Sequence, residues 1–265
     1  LFPDAWQAEP LTKQAVAIDS IPATDHVSLF NVLDALSEPV SSQYPQPMED
    51  LGQSYGFILY TTSIERDRMD EERIRVIDGR DRAQVFVEGE LVATQYQEHI
   101  GEDIKCVLPA EHNRLDILVE NMGRVGYGHK LLADTQHKGI RTGVCVDLHF
   151  ITGWEQRCLP LTSIDGIDFS AGMVEGQPAF HRFEFTLADT FIDTTGFGKG
   201  CAFVNGVNVG RYWEKGPIMT LYVPHGFTRA GVNELVMFET EGTYADAISL
   251  RSEPLVVPIE KEGVE

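Results

Sequence analysis

The chain has 265 residues, 43% of them hydrophobic and 23% charged, and its formal net charge is −20 at pH 7. This length allows one large β domain or two domains of about 130 residues each. The negative charge argues against nucleic acid and anionic membrane surfaces as partners, because both are bound by clustered Lys and Arg. No apolar run approaches the roughly 18 residues that a membrane span needs.

The N-terminal fifth of the chain is rich in proline, with six prolines among residues 1–50. We predict that residues 1–50 form a linker, with a first strand, that packs on a neighbouring domain. One β-sandwich domain is predicted over residues 51–150 and a second over residues 151–265. The sequence leaves open whether a last strand at 248–258 returns to the first domain.

Strand signals recur along the rest of the chain, whereas helical signals are almost absent. Short apolar runs lie between Gly- and Pro-rich turns, a pattern typical of sandwiches and jelly rolls. The candidate helix is residues 27–36, a turn is predicted at 48–51, and residues 163–178 are predicted to be a long loop. The predicted strands are residues 56–62, 73–77, 83–87, 104–108, 115–120, 143–150, 180–187, 201–204, 220–223, 234–238 and 248–257. The predicted fold class is therefore all-β.

An internal repeat organises these strands. The run from Val85 to Gly89 matches the run from Ala202 to Gly206, since each has three apolar residues followed by a polar residue and glycine. Asn-Gly is a strong signal for a hairpin with a type I′ turn, and Glu-Gly is a weaker one. Further matches follow downstream at a nearly constant offset. We interpret the repeat as two copies of one β unit.

Motifs that would carry catalysis are missing from the sequence. There is no GxSxG elbow and no HExxH pair. The stretch from Gly196 to Gly200 is rich in glycine, yet it leads into a strand and so lacks the helix N-terminus that holds a phosphate. Asp165 and Asp168 lie in a loop that could hold Ca²⁺, but solvated turn residues are the more common case. We therefore expect no cofactor, no metal and no catalytic residue in this chain.

The cysteines bear on the compartment of the protein. Cys106, Cys145, Cys158 and Cys201 are scattered, with no CxxC pair and no spacing typical of a metal site. The sequence also has no signal peptide. These observations predict a reducing, cytoplasmic location.

Three strings give the chain a resemblance to a known family: GQSYGFILY at 52–60, LVENMGRVGYG at 118–128 and VNGVNVGRYWEKGP at 204–217. Together they resemble the C-terminal β region of the β-galactosidases of glycoside hydrolase family 35. The resemblance implies two tandem β-sandwich domains of jelly-roll, galactose-binding-like type. It also implies an N-terminal (β/α)8 barrel whose two glutamates remove terminal β-linked galactose with retention. This chain is expected to begin where the barrel ends, so it inherits no catalytic residue.

The resemblance suggests one site that would work together with the barrel. Tyr127 and Arg124 lie in a loop with three glycines, which let the backbone approach another surface closely. By analogy with bacterial relatives, Tyr127 would line the subsite for the aglycone sugar. The alternative is that Tyr127 and Arg124 only pack against the barrel or the second β domain.

Tyr212 and Trp213 form a second candidate site. This aromatic pair could be a platform for a sugar ring, but packing at the open end of the sandwich is the preferred interpretation. In the latter case Arg211 would stack on a ring or pair with a carboxylate.

The expected partners follow from these interpretations. They are the protein's own N-terminal barrel, galactose-containing oligosaccharides and a second copy in a possible homodimer. The chain alone is expected to be inactive and to support the barrel. The alternative function is a free-standing carbohydrate-binding module.

Overall fold

The computed structural model describes residues 15–66, 71–186 and 189–258. These residues form two compact units. The central unit consists of residues 29–177, and the terminal unit combines residues 15–28 with the described residues from 178 to 258. Both units are built almost entirely from antiparallel strands, so the predicted all-β fold with two β-sandwich domains is confirmed.

The strands are numbered in chain order. They are β1 (Ile18–Ser28), β2 (Val40–Ser42), β3 (Phe57–Glu65), β4 (Glu71–Arg80), β5 (Arg82–Val87), β6 (Glu90–Tyr96), β7 (Ile104–Val107), β8 (His112–Glu120), β9 (Gly139–Val146), β10 (His149–Phe150), β11 (Trp154–Leu159), β12 (Ala179–Thr186), β13 (Thr190–Asp193), β14 (Lys199–Val204), β15 (Val207–Trp213), β16 (Thr220–Val223), β17 (Val232–Glu239) and β18 (Ala247–Arg251). Helical turns are short: α1 (Leu33–Leu36) and 3-10 turns at Leu29–Asn31, Asp134–Gln136, Phe169–Ala171 and His225–Phe227.

The central unit is a sandwich of two sheets. One has the order β10-β9-β4-β7 and the other β2-β11-β3-β8-β5-β6. Alternate side chains of β3 and β8, such as Ile58, Tyr60 and Ile117, point into the shared core, while Thr61 and Asp116 lie on the opposite face of their strands. This alternation is the period of two that strands impose on side chains.

The terminal unit takes its strands from both ends of the described chain. Their order is β15-β14-β17-β12-β1-β18-β13-β16. Phe183 and Phe185 of β12 pack in its core, whereas their neighbours Arg182 and Glu184 are more exposed. Ile21 of β1 and Leu250 of β18 belong to the same core, so β1 is an integral strand of this unit.

The predicted repeat is visible in the geometry. The β5–β6 hairpin turns at Glu88-Gly89, where φ is 51° at Glu88 and 82° at Gly89. The β14–β15 hairpin turns at Asn205-Gly206, where φ is 50° at Asn205 and 81° at Gly206. Positive φ at both central positions is the requirement of a type I′ turn. Each hairpin also has an irregularity in its register two residues before the end of its first strand. In each copy the hairpin then pairs with a third strand, β8 or β17.

The observed units differ from the predicted domain limits in two places, and they also show where the last strand pairs, which the sequence left open. Residues 1–50 were expected to form a linker with a first strand; a strand is present there as β1, but it is an integral member of the terminal unit, whereas residues 29–50 belong to the central unit. Residues 151–177 lie in the central unit, where β11 pairs with β2 and β3. Strand β18 pairs with β1 and β13 in the terminal unit. Residues 1–14 of the predicted linker and residue 187 of a predicted strand lie outside the described residues.

The helix predicted at 27–36 is mostly replaced by other structure. Val27 and Ser28 end β1, and one 3-10 turn and the single turn of α1 follow. The apolar residues Val27, Leu29, Val32 and Leu33 are all buried, so burial rather than helix formation explains their spacing. The turn predicted at 48–51 is present, with the Leu51 amide donating to the Met48 carbonyl at 3.2 Å.

Candidate functional site

The segment between β8 and β9, residues 121–138, exposes apolar side chains to solvent. We name it the 121–138 loop. Tyr127 is 90% exposed and Leu132 is 95% exposed. The space around Gly123, Gly126 and Gly128 is open, with no atom within 4 Å of a Cβ built on any of them. These glycines therefore do not serve close packing within the described chain.

Arg124 fastens the first part of this loop. Its Nη1 donates to the Ser54 carbonyl at 2.7 Å, its Nε donates to the Gln136 carbonyl at 3.1 Å, and its Nη2 pairs with the Glu49 carboxylate. The Gln136 side chain in turn accepts from the Val125 amide at 3.0 Å. The guanidinium thus ties the two ends of the loop to the turn that begins at Met48.

A buried ion pair lies beneath the loop. Lys138 and Asp81 are 3% and 6% exposed, and the Lys138 ammonium lies 2.6 and 2.8 Å from the two Asp81 oxygens. One of these oxygens also accepts from the Met122 amide at 2.8 Å, and the Lys138 amide donates to Glu49 at 2.9 Å. A buried charge pair of this kind is tolerated because each charge has its partner and further hydrogen bonds.

The predicted residues Tyr127 and Arg124 therefore lie on one loop in different places. Tyr127 lies at the exposed tip, while Arg124 lies at the base. Three further residues of the base, Glu49, Asp81 and Lys138, were not predicted. No pattern in the sequence marks them, because they lie far apart along the chain and only the fold brings them together.

Tyr212 is not available as a sugar platform, because it is only 4% exposed. Its hydroxyl lies 2.7 Å from the Phe238 carbonyl and 3.1 Å from the Glu239 carboxyl group, and its ring packs edge-on against Phe197. Burial raises the pKa of Tyr212 well above its usual value. Its ring has the packing role that the sequence favoured.

Trp213 is half-buried and has two lysines near its ring. The Lys199 ammonium lies 4.3 Å from the ring centroid and the Lys215 ammonium lies 5.2 Å from it. Cation–π contacts of this kind stabilise an aromatic ring by roughly 0.5–2 kcal/mol. A sugar that stacks on Trp213 would have to compete with these cations.

Glu239 is a fully buried carboxyl group beside Tyr212. It accepts from the amides of Gly198 at 2.9 Å and Glu241 at 2.7 Å. Burial is the largest influence on Glu239 and raises its pKa, although these amides oppose the shift. Its partners are main-chain groups of the sandwich and the Tyr212 hydroxyl, which gives it a structural role.

The glycine-rich stretch before β14 is explained by close packing. A Cβ at Gly200 would lie 1.8 Å from the Phe238 carbonyl oxygen, and a Cβ at Gly198 would lie 2.5 Å from Glu241. The stretch enters a strand, as the sequence indicated. Nothing in this arrangement resembles a phosphate site.

Other candidate features have structural partners. Asp168 accepts from the amide and hydroxyl of Ser170 at 2.9 and 2.6 Å, and so caps the 3-10 turn Phe169–Ala171.

The described residues contain no group of three or more His, Cys, Asp or Glu side chains that could hold a metal ion. All four cysteines are free thiols. In the same part of the chain, no helix has the length and apolar character needed to cross a membrane.

Comparison with known proteins gives two family models that match separate parts of this chain. Residues 45–161 match the model described as "Beta-galactosidase, first all-beta domain", and residues 178–233 match "Beta-galactosidase, galactose-binding domain". The first match lies in the central unit and the second in the terminal unit.

Similar curated proteins and solved structures were also found. The chain is 36% identical to a beta-galactosidase of Xanthomonas manihotis over 81% of its length, and 32% identical to beta-galactosidase 1 of Dictyostelium discoideum over 87%. It spans 36% and 38% of these two relatives. A lectin from Pleurotus ostreatus solved with GalNAc is 13% identical, with coverage of 94% of this chain and 86% of the lectin and a TM-score of 0.27. The chain belongs to the beta-galactosidase family, in which it corresponds to the first all-beta domain and the galactose-binding domain.

Proposed function

We propose that this chain is the non-catalytic β-sandwich region of a retaining β-galactosidase of glycoside hydrolase family 35. Its partner is a catalytic barrel that hydrolyses terminal β-linked galactose from oligosaccharides. Two observations support the proposal: the family matches, and the fact that the chain spans little more than a third of its relatives. The chain alone is expected to be inactive, which an assay with a chromogenic β-galactoside tests directly.

The observation that carries the supporting role is the 121–138 loop. An apolar tip that is exposed on a fixed base is unusual for a surface loop, since exposed apolar patches commonly mark interaction sites. Five apolar side chains contribute to it: Met122, Val125, Tyr127, Leu131 and Leu132. We assign the catalytic barrel as the partner that covers part of this tip.

Within this loop, Tyr127 is proposed to line the subsite for the aglycone sugar. A tyrosine ring offers an apolar face for the sugar and a hydroxyl for a hydrogen bond. The ion pairs of Arg124 and Lys138 hold the base of the loop, and such preorganisation lowers the cost of binding. Arg124 then contributes to the subsite by fixing the loop, since its guanidinium already has three partners.

The test is the Tyr127→Ala variant of the full-length enzyme. We expect kcat/KM to fall about 3–10-fold for β1,3- and β1,4-linked galactosyl disaccharides, because stacking contributes roughly 0.5–1.5 kcal/mol. Tyr222→Ala is a matched control, because Tyr222 is 50% exposed but lies in the terminal unit. An unchanged kcat/KM for both linkages would discard the assignment of Tyr127.

A separate variant tests the contact with the barrel. Leu132→Asp places a charge on a side chain that is 95% exposed, so it should leave the stability of this chain alone unchanged. In the full-length enzyme the same change should lower the thermal midpoint, because a charge would be buried at the contact. An equal midpoint for the two full-length proteins would argue against docking at Leu132.

A second candidate function is a free-standing carbohydrate-binding module. The match of residues 178–233 to a galactose-binding domain favours it. The discriminating measurement is the response of tryptophan fluorescence to galactose or lactose in this chain alone. Saturation at millimolar sugar would favour the module.

We also propose a cytoplasmic location and a homodimer. Free cysteines support a reducing compartment, because disulfides form mainly in oxidising ones. Cell fractionation tests the location. Sedimentation of the full-length enzyme tests the dimer.

A further inference from the structure

The central unit has a cavity that is not lined by any residue of the 121–138 loop. Its volume is about 450 Å³, within the usual range of roughly 300–1,000 Å³ for small-ligand sites. Its lining includes Phe30, Asn31, Thr61, Ser63, Arg114 and Glu155. Strands β3 and β8 run past both features: Ser63 and Arg114 pair at the cavity, and Phe57 and Glu120 pair where the 121–138 loop begins. These two pairs are six residues apart along the strands, so the cavity lies about 20 Å from the start of the loop.

One wall of the cavity is held rigidly by a buried carboxylate. Asp116 is 1% exposed and accepts from Arg114 Nε at 2.8 Å, Arg114 Nη2 at 3.1 Å and the Thr61 hydroxyl at 2.6 Å. A two-point Arg–carboxylate contact fixes the plane of the guanidinium. The Arg114 guanidinium also lies 5.9 Å from the centroid of the Phe30 ring. Phe30 itself packs edge-on against the buried Phe86.

The opposite wall is held by Arg157. Its Nη1 donates to the Ser37 carbonyl at 2.6 Å, its Nη2 pairs with Asp34 at 2.8 Å, and its Nε donates to Glu155 Oε1 at 3.2 Å. The side chain of Arg157 is only 12% exposed. Both walls are thus organised before any ligand arrives, which reduces the entropy that binding must remove.

The charges of the cavity favour a neutral ligand. Arg114 and Arg157 are both paired with carboxylates, and Asp34, Asp116 and Glu155 bring three negative charges against two positive ones. An anionic ligand needs an unsatisfied cation, so it would meet net repulsion here. Both Arg114 and Glu155 line the cavity, and the bonds named above do not involve Arg114 Nη1 or Glu155 Oε2.

We propose that this cavity binds one residue of a neutral saccharide, in a site independent of Tyr127. Sugar hydroxyls both donate and accept, so they can bond to the donor Arg114, the acceptor Glu155 and the hydroxyl of Ser63. Asn31 Nδ2 already donates to the carbonyls of Ala171 and Gly172, so Asn31 would contribute its Oδ1 as an acceptor. Phe30 supplies an apolar face for the carbon atoms of the ring. Resting on the proposed function, the site would hold a second part of the carbohydrate that the enzyme meets.

The experiment is a titration of this chain, followed by ¹H–¹⁵N NMR, with methyl β-galactoside and methyl β-glucoside as neutral probes and galacturonate as the anionic probe. With sugar up to about 50 mM, a millimolar site saturates. We expect shifts of the amides of Thr61, Ser63 and Arg114 with at least one neutral glycoside, and weaker or no shifts with galacturonate.

Two variants make the test specific. Glu155→Ala removes a side chain that is 45% exposed, so the fold should be retained, and it should weaken binding about 3–10-fold through the lost hydrogen bond. Arg114→Lys should weaken binding by a similar factor. Arg75→Lys is the matched control, because Arg75 makes an exposed ion pair with Asp103 on the other sheet. It should leave the affinity unchanged.

The proposal is overturned if no neutral glycoside shifts these amides, or if galacturonate binds more tightly than the neutral probes. Shifts confined to Trp213 and its neighbours in the terminal unit would also overturn it. Unchanged affinity in Glu155→Ala, with a native spectrum, would do the same.

Discussion

At the scale of single residues, the buried charges of Lys138 and Asp81 are paired with each other. Lys138 and Asp81 form a salt bridge with almost no exposure, and the Met122 amide adds a third partner. Removing one member of such a pair leaves an uncompensated charge in a medium that solvates it poorly. Exposed ion pairs behave differently, since water solvates each partner without the other.

We predict that Lys138→Ala lowers the free energy of unfolding of the central unit by about 3–5 kcal/mol. The control is Lys105→Ala, which removes an exposed pair with Glu71 and should cost roughly 0–1 kcal/mol. Urea denaturation of both variants checks the difference. Losses of equal size would show that the buried pair has no special role.

Two histidines give the terminal unit a pH dependence. His181 is fully buried, and its Nδ1 lies 2.7 Å from Nδ1 of His26. Burial, and after it the charge of the neighbouring His26, lower the pKa of His181 from 6.5 to about 4. Burial also lowers the pKa of His26, although Asp246 and Asp25 oppose the shift. The folded state therefore favours the neutral form of both rings.

We predict that the stability of this unit falls as pH drops from 6.5 toward about 4. In that window the unfolded chain binds a proton that the folded chain does not, so stability is complete above the unfolded pKa and is lost below it. The shift of His181 corresponds to about 3 kcal/mol. Urea midpoints at several pH values check this.

His181→Gln should flatten this pH profile, whereas His149→Gln, at an exposed position, should keep it. A profile for His181→Gln as steep as that of the parent would contradict the assignment to His181.

At the scale of secondary-structure elements, the β14–β15 hairpin depends on one glycine. Gly200 lies between Glu239 of β17 and Tyr212 of β15. A Cβ there would lie 1.8 Å from a main-chain oxygen, which cannot move without disturbing the sheet. The glycine-rich stretch thus permits a close approach between strands, and its resemblance to a nucleotide loop has no structural basis.

We predict that Gly200→Ala destabilises the terminal unit by at least about 1–3 kcal/mol, the usual cost of overpacking. Gly226→Ala is the control, since no atom lies within 4 Å of a Cβ at Gly226 and its φ is not in the left-handed region. Thermal unfolding of both variants distinguishes them. Equal midpoints would mean that the strands separate more easily than the geometry implies.

The candidate site was predictable from the sequence only in part. The glycines and Tyr127 mark an unusual loop, and the structure brings the ring of Tyr127 to the exposed tip. The base of that loop could not be predicted. Asp81 and Lys138 are separated by 57 residues, so their contact depends on how β5 and β9 are arranged in the fold.

At the scale of the whole molecule, the terminal unit is closed by a strand from the N-terminal side. Strand β1 pairs with β12 on one side and with β18 on the other. Its removal would expose two strand edges and open the core around Ile21. The central unit contains none of these residues.

We predict that a chain starting at residue 29 retains the central unit and loses the terminal one. Hydrogen exchange should show protected amides in β3 and β8 and unprotected amides in β12 and β18. The fragment of residues 29–177 serves as the control and should fold alone. Protection of β12 in the truncated chain would refute the prediction.

The sequence by itself determined the all-β class, the repeated hairpins and the family. Those features depend on neighbouring residues: the alternation of apolar side chains, the Asn205-Gly206 turn and contiguous strings such as LVENMGRVGYG. Only the tertiary structure decided that β1 joins β18, that β11 belongs to the central unit and that Tyr212 is buried. Strand partners and burial are set by contacts between residues far apart along the chain, and a local pattern contains no information on which strand edge another strand will meet.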